Sequence, residues 1–510
     1  MIEIQMSKQD FVYDVQGLCK SFYPSTQIVI EDWNQTVTDC EPDVCLQVEL
    51  AEDYVEVTVH REGVSEKRRA KAPKDNRRGY KNVLKKLLYE LLSKMTGKQL
   101  PWGTLTGVRP TKLVMERLEL GESREAIDSY MKEHYFCSEE KIALGYEISR
   151  KELEILNAID YKNGYSLYVG IPFCPTRCSY CSFPSYPMGD FGQLVEQYLD
   201  ALFQEISYVA SKKWNKRLST IYIGGGTPTT LSAEQLRRLL RHIKQCCSME
   251  HVVEFTVEAG RPDSITREKL EVMKEEGVTR ISINPQTMNQ DTLERIGRKH
   301  TVEDVERVFA MAREAGHDNI NMDLIIGLPG ETSQSLKQTF SKIERLNPEN
   351  LTVHSLVLKR AARLNTDRVN EASCRVEQTQ EEMALVGETA TMAEISAKYA
   401  AAHGYEPYYM YRQKNATGTD SDSRENIGYA KHGTECIYNI LIMEEKQTIL
   451  AVGAGASSKF LLPNAKKKIE RVENVKSVTD YIQRIDEMIE RKEHFWAKNS
   501  DTFVSFLGKG

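Results

Sequence analysis

The reading of this chain turns on residues 168–183, YVGIPFCPTRCSYCSF. A β-type run at 166–171 stops at Pro172 and delivers Cys174, Cys178 and Cys181 onto one short loop with the spacing C-x3-C-x2-C. Thiolates are the soft ligands that iron–sulfur clusters use, and a cluster normally takes four of them. Three on one loop can hold three corners of a cubane and leave the fourth iron open. An open position separates a catalytic metal site from a structural one. Such an iron can hold a small chelating cofactor and pass it an electron.

Working outward, strands and helices alternate with a regular beat. Strands are expected at 166–171, 220–224, 254–258, 280–284, 320–326 and 351–356. Helical patterns lie between them. Ser232 and Gln235 form a capping-box pair ahead of Leu236, Leu239, Leu240 and Ile243. Thr301 and Asp304 do the same ahead of Val302, Val305, Val308 and Phe309, and Gly316 is the expected stop. Six strand–helix units imply a parallel sheet with right-handed crossovers, whose chemistry collects at the carboxyl ends of the strands. The informative residues fall there: the cysteines after the first strand, Gly224-Gly-Gly-Thr227 after the second, Glu258 at the end of the third, Gln286 past the fourth, Asp323 on the fifth and His354 near the end of the sixth. Glycines at 224–226 let backbone amides approach a ligand and aim at a carboxylate.

These words in this order resemble the radical S-adenosylmethionine (SAM) enzymes, and among them the oxygen-independent coproporphyrinogen III oxidase family in its HemZ-type branch. The resemblance runs from about residue 166 to about residue 460. It implies a [4Fe-4S] cluster on Cys174, Cys178 and Cys181, and one or two molecules of SAM. By the same resemblance Tyr168, Tyr180, Gly225, Gly226, Thr227, Glu258, Gln286, Arg298 and Asp323 are cofactor contacts. It implies no catalytic residue beyond these, a porphyrinogen substrate, and an electron donor such as a flavodoxin or ferredoxin. The implied reaction splits SAM to a 5′-deoxyadenosyl radical, removes a hydrogen from a propionate β-carbon and releases CO2. A vinyl group remains, and two such events give protoporphyrinogen IX. Arg261, Lys359, Arg360, Arg412 and Lys414 are candidate propionate partners, because Arg pairs carboxylates bidentately. The chain departs from the family pattern twice. Ser182 and Phe183 follow Cys181 where the best-known branch has a further cysteine, and the C-terminal H-N-x-x-Y-W word is replaced by a neighbourhood reading His432-Gly-Thr-Glu-Cys436-Ile-Tyr-Asn439. Three functions therefore stay open: the oxidase, a heme chaperone, and a radical SAM enzyme acting on heme or RNA.

The rest of the chain sets bounds. Its 510 residues exceed one ordinary core, and 40% hydrophobic with 28% charged content is that of a globular protein. A net charge of −6 gives no global field for nucleic acid. No apolar run suits a membrane span and no signal peptide opens the chain, so a cytoplasmic protein is expected, with its remaining cysteines as thiols. Residues 45–50 and 54–59 alternate as strands, and a helical stripe follows from about Tyr80 through Leu84, Leu88 and Leu92. Ten of the twenty residues from Lys67 to Lys86 are basic; a solvated loop and helix face is the expectation, an RNA handle the alternative. Beyond about residue 370 a long helix is expected at 376–402, then a polar loop to Asn426, strand-like runs at 436–443 and 448–452, and a closing helix at 475–490. The fold class is α/β: a partial (β/α)6 barrel at 163–370, with an N-terminal mixed α/β domain at 1–162 and a C-terminal α+β domain at 371–510 covering the open side.

Overall fold

A computed structural model describes residues 1–24, 26–33, 43–212, 216–357, 380–413, 425–462 and 469–499. Cys40, Lys359, Arg360, Cys374 and Lys414 lie outside these residues. The chain divides into two compact units, one holding 1–150 with the described parts of 368–390 and 410–426, the other holding the rest. The partition therefore cuts across the three consecutive segments expected from composition.

The first unit is built on a five-stranded sheet of β1 (Ile2–Met6), β2 (Ile28–Asp32), β3 (Val44–Leu50), β4 (Tyr54–Arg61) and β5 (Val64–Lys71), in the order β2-β1-β3-β4-β5. β3 and β4 alternate buried and half-buried positions, as their sequence pattern requires. Helices Val12–Phe22 and Arg77–Thr96 cover the sheet, closing a core that includes Ile4, Leu18, Phe22, Leu46, Val57, Leu84 and Leu88. The helix Arg77–Thr96 starts at an Asn76 cap and stops at Gly97, whose φ of 69° suits glycine. The first five residues of the basic run are not a loop but part of β5, an edge strand paired antiparallel with β4. Its polar sequence carries no strand signal, and pairing with β4 supplies the order.

In the second unit, β6 (Gly164–Ile171), β9 (Arg217–Gly225), β10 (Glu254–Gly260), β11 (Arg280–Ile283), β12 (Ile320–Ile326) and β13 (Asn350–Ser355) pair in chain order, every neighbour parallel. These are the six expected strands, with both capping boxes in place. A two-stranded pair, β7 (Phe173–Cys174) with β8 (Tyr186–Pro187), brackets the cysteine loop. The sheet continues at both edges: β14 (Glu406–Arg412) and β15 (Glu425–Ala430) lie beyond β13, and β16 (Thr448–Val452), β17 (Ser457–Leu461) and β18 (Ile469–Glu473) lie beyond β6. C-terminal strands thus extend the barrel sheet.

The two faces of this sheet differ in chemistry. Leu167, Val169, Ile221, Ile223, Phe255, Val257, Ile281, Ile283, Met322 and Leu324 are buried on one face. At roughly 2 kcal/mol for each such side chain, this face holds the helices to the sheet. The other face is polar, with Ser166, Thr220 and Glu254 in one row and Ser282, Asn321 and Asn350 in another. Parallel strands buried on both sides normally read as continuous apolar runs. Alternation here records a polar inner wall.

Two C-terminal expectations are corrected. Residues 436–443 belong to a helix, Ile437–Glu444, not a strand. Short apolar runs cannot be typed by periodicity. The deciding group is distant in sequence: the buried Glu254 carboxylate accepts the N–H groups of Ile437 (2.6 Å) and Tyr438 (3.1 Å), satisfying the orphan donors of that helix start. The closing helix is two, Val478–Gln483 and Ile485–Lys498, broken at Arg484. Strand β15 takes up the end of the expected polar loop.

Candidate active site

Pro172 ends β6, and the chain turns through Phe173–Cys174 into the loop that carries the three cysteines. All three are free thiols, Cys174 and Cys178 buried and Cys181 partly so. Each sulfur faces a hydrogen-bond donor. The Thr227 hydroxyl donates to Cys174 Sγ at 3.5 Å, and Arg261 Nη1 donates to Cys178 Sγ at 3.7 Å. Burial raises the Cys181 thiol, and the backbone N–H of Phe183 nearby pulls it down. Burial pushes the Cys174 thiol up to about 11 against the pull of Thr227, and the nearby Cys181 and Cys178 push the same way. Among the described residues no three His, Cys, Asp or Glu side chains converge tightly enough for a single metal ion. A cubane makes no such demand, since its thiolates bind separate irons. Three neighbouring thiols on one loop, each with a donor suited to a thiolate, fit a [4Fe-4S] cluster.

The glycine turn after β9 is locked against this loop. The N–H of Gly226 donates to Ile171 O and that of Thr227 to Phe173 O, both at 2.7 Å. A Cβ on Gly226 would lie 2.5 Å from Phe173 O, and Gly225 has a φ of 112°. Glycine is required there by close approach and by conformation. This corrects one expectation: the Gly226 and Thr227 amides are spent on the protein backbone and do not aim at a ligand carboxylate.

Glu258 stands at the end of β10, where a Cβ on Gly224 would sit 2.8 Å from its Oε2. Tyr222 donates its hydroxyl to Glu258 Oε1. Burial raises the carboxyl to about 7, with Asp323 adding to the rise, while Tyr222, the Gly225 amide and Arg280 oppose it. Asp323 behaves oppositely. Burial raises it, but His354, Asn321 and Thr352 hold it below the usual carboxylate range. Asn321 donates to Asp323 Oδ1 at 2.7 Å, and His354 Nε2 lies 3.9 Å from the same oxygen. Two carboxyls of different character therefore share one barrel mouth.

Tyr168 is stacked at 6.2 Å on Tyr222, which stacks at 4.5 Å on Tyr438. Tyr180, between the second and third cysteines, accepts from Arg298 Nε (3.3 Å) and Nη2 (3.1 Å), while Arg298 Nη1 donates to Asn284 O at 2.7 Å. Arg298 thereby ties the cysteine loop to the end of β11. Gln286 is left-handed, with a φ of 69°; its N–H donates to Asp323 O and its carbonyl accepts from Ile325. Such a backbone is uncommon outside glycine. The nine expected cofactor contacts and three cysteines all lie in this unit, on β6 and its loop, β9, β10, β12 and the segments following β9 and β11.

Sequence reasoning missed Tyr222, Tyr438, Thr176 and Asp263. Tyr222 was legible, since alternation puts it on the same face as Gly224 and level with Tyr168. Tyr438 was not, because its segment reads as a strand. Arg261 is one of the five candidate propionate partners. It is, however, 4% exposed, with Nε and Nη2 on Asp263 and Nη1 on the Thr176 carbonyl and hydroxyl as well as Cys178. Arg412 is buried too, donating to Leu105 O at 2.6 Å. Both corrections have one cause: a buried guanidinium is held only where the protein supplies its acceptors.

Residues 168–343 match the Radical SAM superfamily. Over 416 residues the chain is 40% identical to the oxygen-independent coproporphyrinogen-III oxidase-like protein HemZ of Bacillus subtilis (strain 168), covering 81% of this chain and 80% of that one. The chain belongs to the HemZ-like radical SAM family. Its members use a [4Fe-4S] cluster and SAM, which suits the three-thiol loop. The heme chaperone HemW of the same organism is 37% identical over 265 residues, 52% of this chain and 66% of that one. Among solved structures, the Escherichia coli coproporphyrinogen III oxidase HemN, a radical SAM enzyme, superposes with a TM-score of 0.50 at 23% identity, covering 66% of this chain and 73% of that one. That likeness concerns the fold.

Half of the ten cations in the basic run of the first unit are paired with acids. Lys67 pairs with Glu56, Lys74 with Glu52, Arg77 with Asp10, Arg78 with Glu116 and Lys81 with Asp14, while Arg69 lies over the Tyr54 ring. Among the described residues no helix is long and apolar enough to cross a membrane.

Proposed function

We propose that this protein carries out radical SAM oxidative decarboxylation of coproporphyrinogen III, converting two propionates to vinyls and giving protoporphyrinogen IX, with one electron per vinyl passing to an external one-electron acceptor. The observation that supports this most is the three-thiol loop at the carboxyl ends of six parallel strands, facing two carboxyls of opposed acidity. Cys174, Cys178 and Cys181 would hold the cluster. Bound together, cluster and SAM supply the one-electron reduction and the hydrogen-atom abstraction from substrate carbon. Glu258 and Asp323 offer acceptors for the ammonium and ribose hydroxyls of SAM. Tyr222 holds Glu258 in place, and the Arg298–Tyr180 bond keeps the cysteine loop against the barrel. Gln286 places its backbone between β11 and β12, and Tyr168 closes the wall beneath the glycine turn. With the Gly226 and Thr227 amides used internally, that turn serves as a close-packed floor. The residues shield this space from water, which strengthens every polar contact in it.

The test is product identification. Protein loaded with iron and sulfide under argon, then given SAM, a low-potential reductant such as a reduced flavodoxin and coproporphyrinogen III, should release CO2 and form a divinyl product. Tight heme uptake without SAM cleavage would support a second reading, heme carriage, which the 37% identity to HemW favours.

A further inference from the structure

One buried cation in the site spends its donors on the protein itself. Arg261 follows Gly260, whose φ of 66° turns the chain as β10 breaks register with β11. The turn sends the guanidinium into the cysteine loop. Asp263 takes Nε and Nη2 in a bidentate pair. The remaining Nη1 is thereby fixed in direction. It donates to Thr176 O at 2.9 Å, to Thr176 Oγ1 at 2.8 Å and to Cys178 Sγ at 3.7 Å. The donors at the other two sulfurs are weaker in kind: the Thr227 hydroxyl can rotate, and the Phe183 amide is neutral. Arg261 alone of the three brings a charged, rotationally locked N–H, at 4% exposure.

We propose that Arg261 is a positioning residue that acts through Cys178 to raise the reduction potential of the bound cluster. The inference rests on the radical SAM reading of the site. Hydrogen bonds to ligand sulfur, net charge and burial are the protein's levers on cluster potential. A donor on sulfur withdraws electron density and favours the reduced, more negative cluster. Low local dielectric strengthens that effect. Asp263 balances the charge of Arg261 without reaching the sulfur, so the directed N–H is what distinguishes the pair from a neutral one.

The experiment uses the full chain, reconstituted anaerobically with iron and sulfide, and follows the cluster by potentiometric titration with electron paramagnetic resonance, without SAM. Arg261→Gln combined with Asp263→Asn keeps the local charge sum and removes the charged donor; Arg261→Lys keeps the charge and gives up the fork. The expected result is parental iron content with a lower midpoint potential in the double variant and an intermediate one in Arg261→Lys. Unchanged midpoints in cluster-bearing variants overturn the inference. Where the double variant holds no cluster, Arg261→Lys decides, a lower midpoint supporting and an unchanged one overturning. Absence of a cubane spectrum in the unaltered chain is a separate result that overturns the site reading, and the inference with it.

Discussion

Glu258 shows how far one side chain's environment can depart from its sequence. Its carboxyl titrates near 7 in the fold against 4.5 for the exposed group, because burial outweighs Tyr222 and the Gly225 amide. Between those values the folded chain keeps a proton that the unfolded chain has lost. Stability therefore falls as pH rises through that window and levels off above it, by at most roughly 3 kcal/mol. Glu258→Gln should be more stable than its parent at pH 8 and nearly equal at pH 4, as urea unfolding of the cluster-free chain would show. SAM brings positive charge, so its binding should release a proton and tighten as pH rises from 6 to 8. Calorimetric titration in buffers of different ionisation enthalpy measures that proton, and Glu258→Gln should abolish the pH dependence. Tyr222→Phe removes a bond that holds Glu258 down, so the binding midpoint should move to higher pH.

Among the secondary elements, the second unit is stapled by a polar knot. Glu205, on the helix Val195–Ser211, accepts from Gly453 N–H (2.8 Å), the Tyr481 hydroxyl (2.6 Å), Asn474 Nδ2 (2.8 Å) and Lys492 Nζ (2.6 Å). Glu205 and Lys492 are fully buried. The knot joins that helix to Ile485–Lys498 and to the turn after β16, where Gly453 packs against Gly170 of β6. Removing one member of a buried pair strands the other charge, so Lys492→Met should cost about 3–5 kcal/mol. Glu205→Gln together with Lys492→Met should recover most of that, in a denaturation cycle. A simpler element test lies at Ser232, whose hydroxyl accepts from the Gln235 N–H. Ser232→Ala should cost about 1 kcal/mol. That helix start was legible because a capping box is local. The start of Ile437–Glu444 was not, because its cap comes from Glu254.

On the scale of the whole molecule, charge distribution bears on partners. A net charge of −6 is joined by a basic run in which five of ten cations have acids beside them. Exposed pairs of this kind contribute little stability, but they do cancel local field. Purified protein should bind RNA no better than a neutral control at physiological salt, and neutralising Arg77, Arg78 and Lys81 should leave that unchanged. A salt-sensitive affinity lost in the triple variant would return RNA as a substrate class.

The sequence by itself determined the six barrel strands, their order, the two capping boxes and the cysteine loop, because period-2 and period-3.6 patterns and fixed spacings are carried by neighbours in the chain. Tertiary structure decided what Arg261 and Arg412 hold, which way the glycine amides are spent, and that 436–443 coils where it reads as extended. Each of those depends on at least one acceptor or donor tens to hundreds of residues away, Arg261 on Thr176 and Cys178 besides the adjacent Asp263. A local pattern records how a segment presents its faces, not which distant group satisfies it.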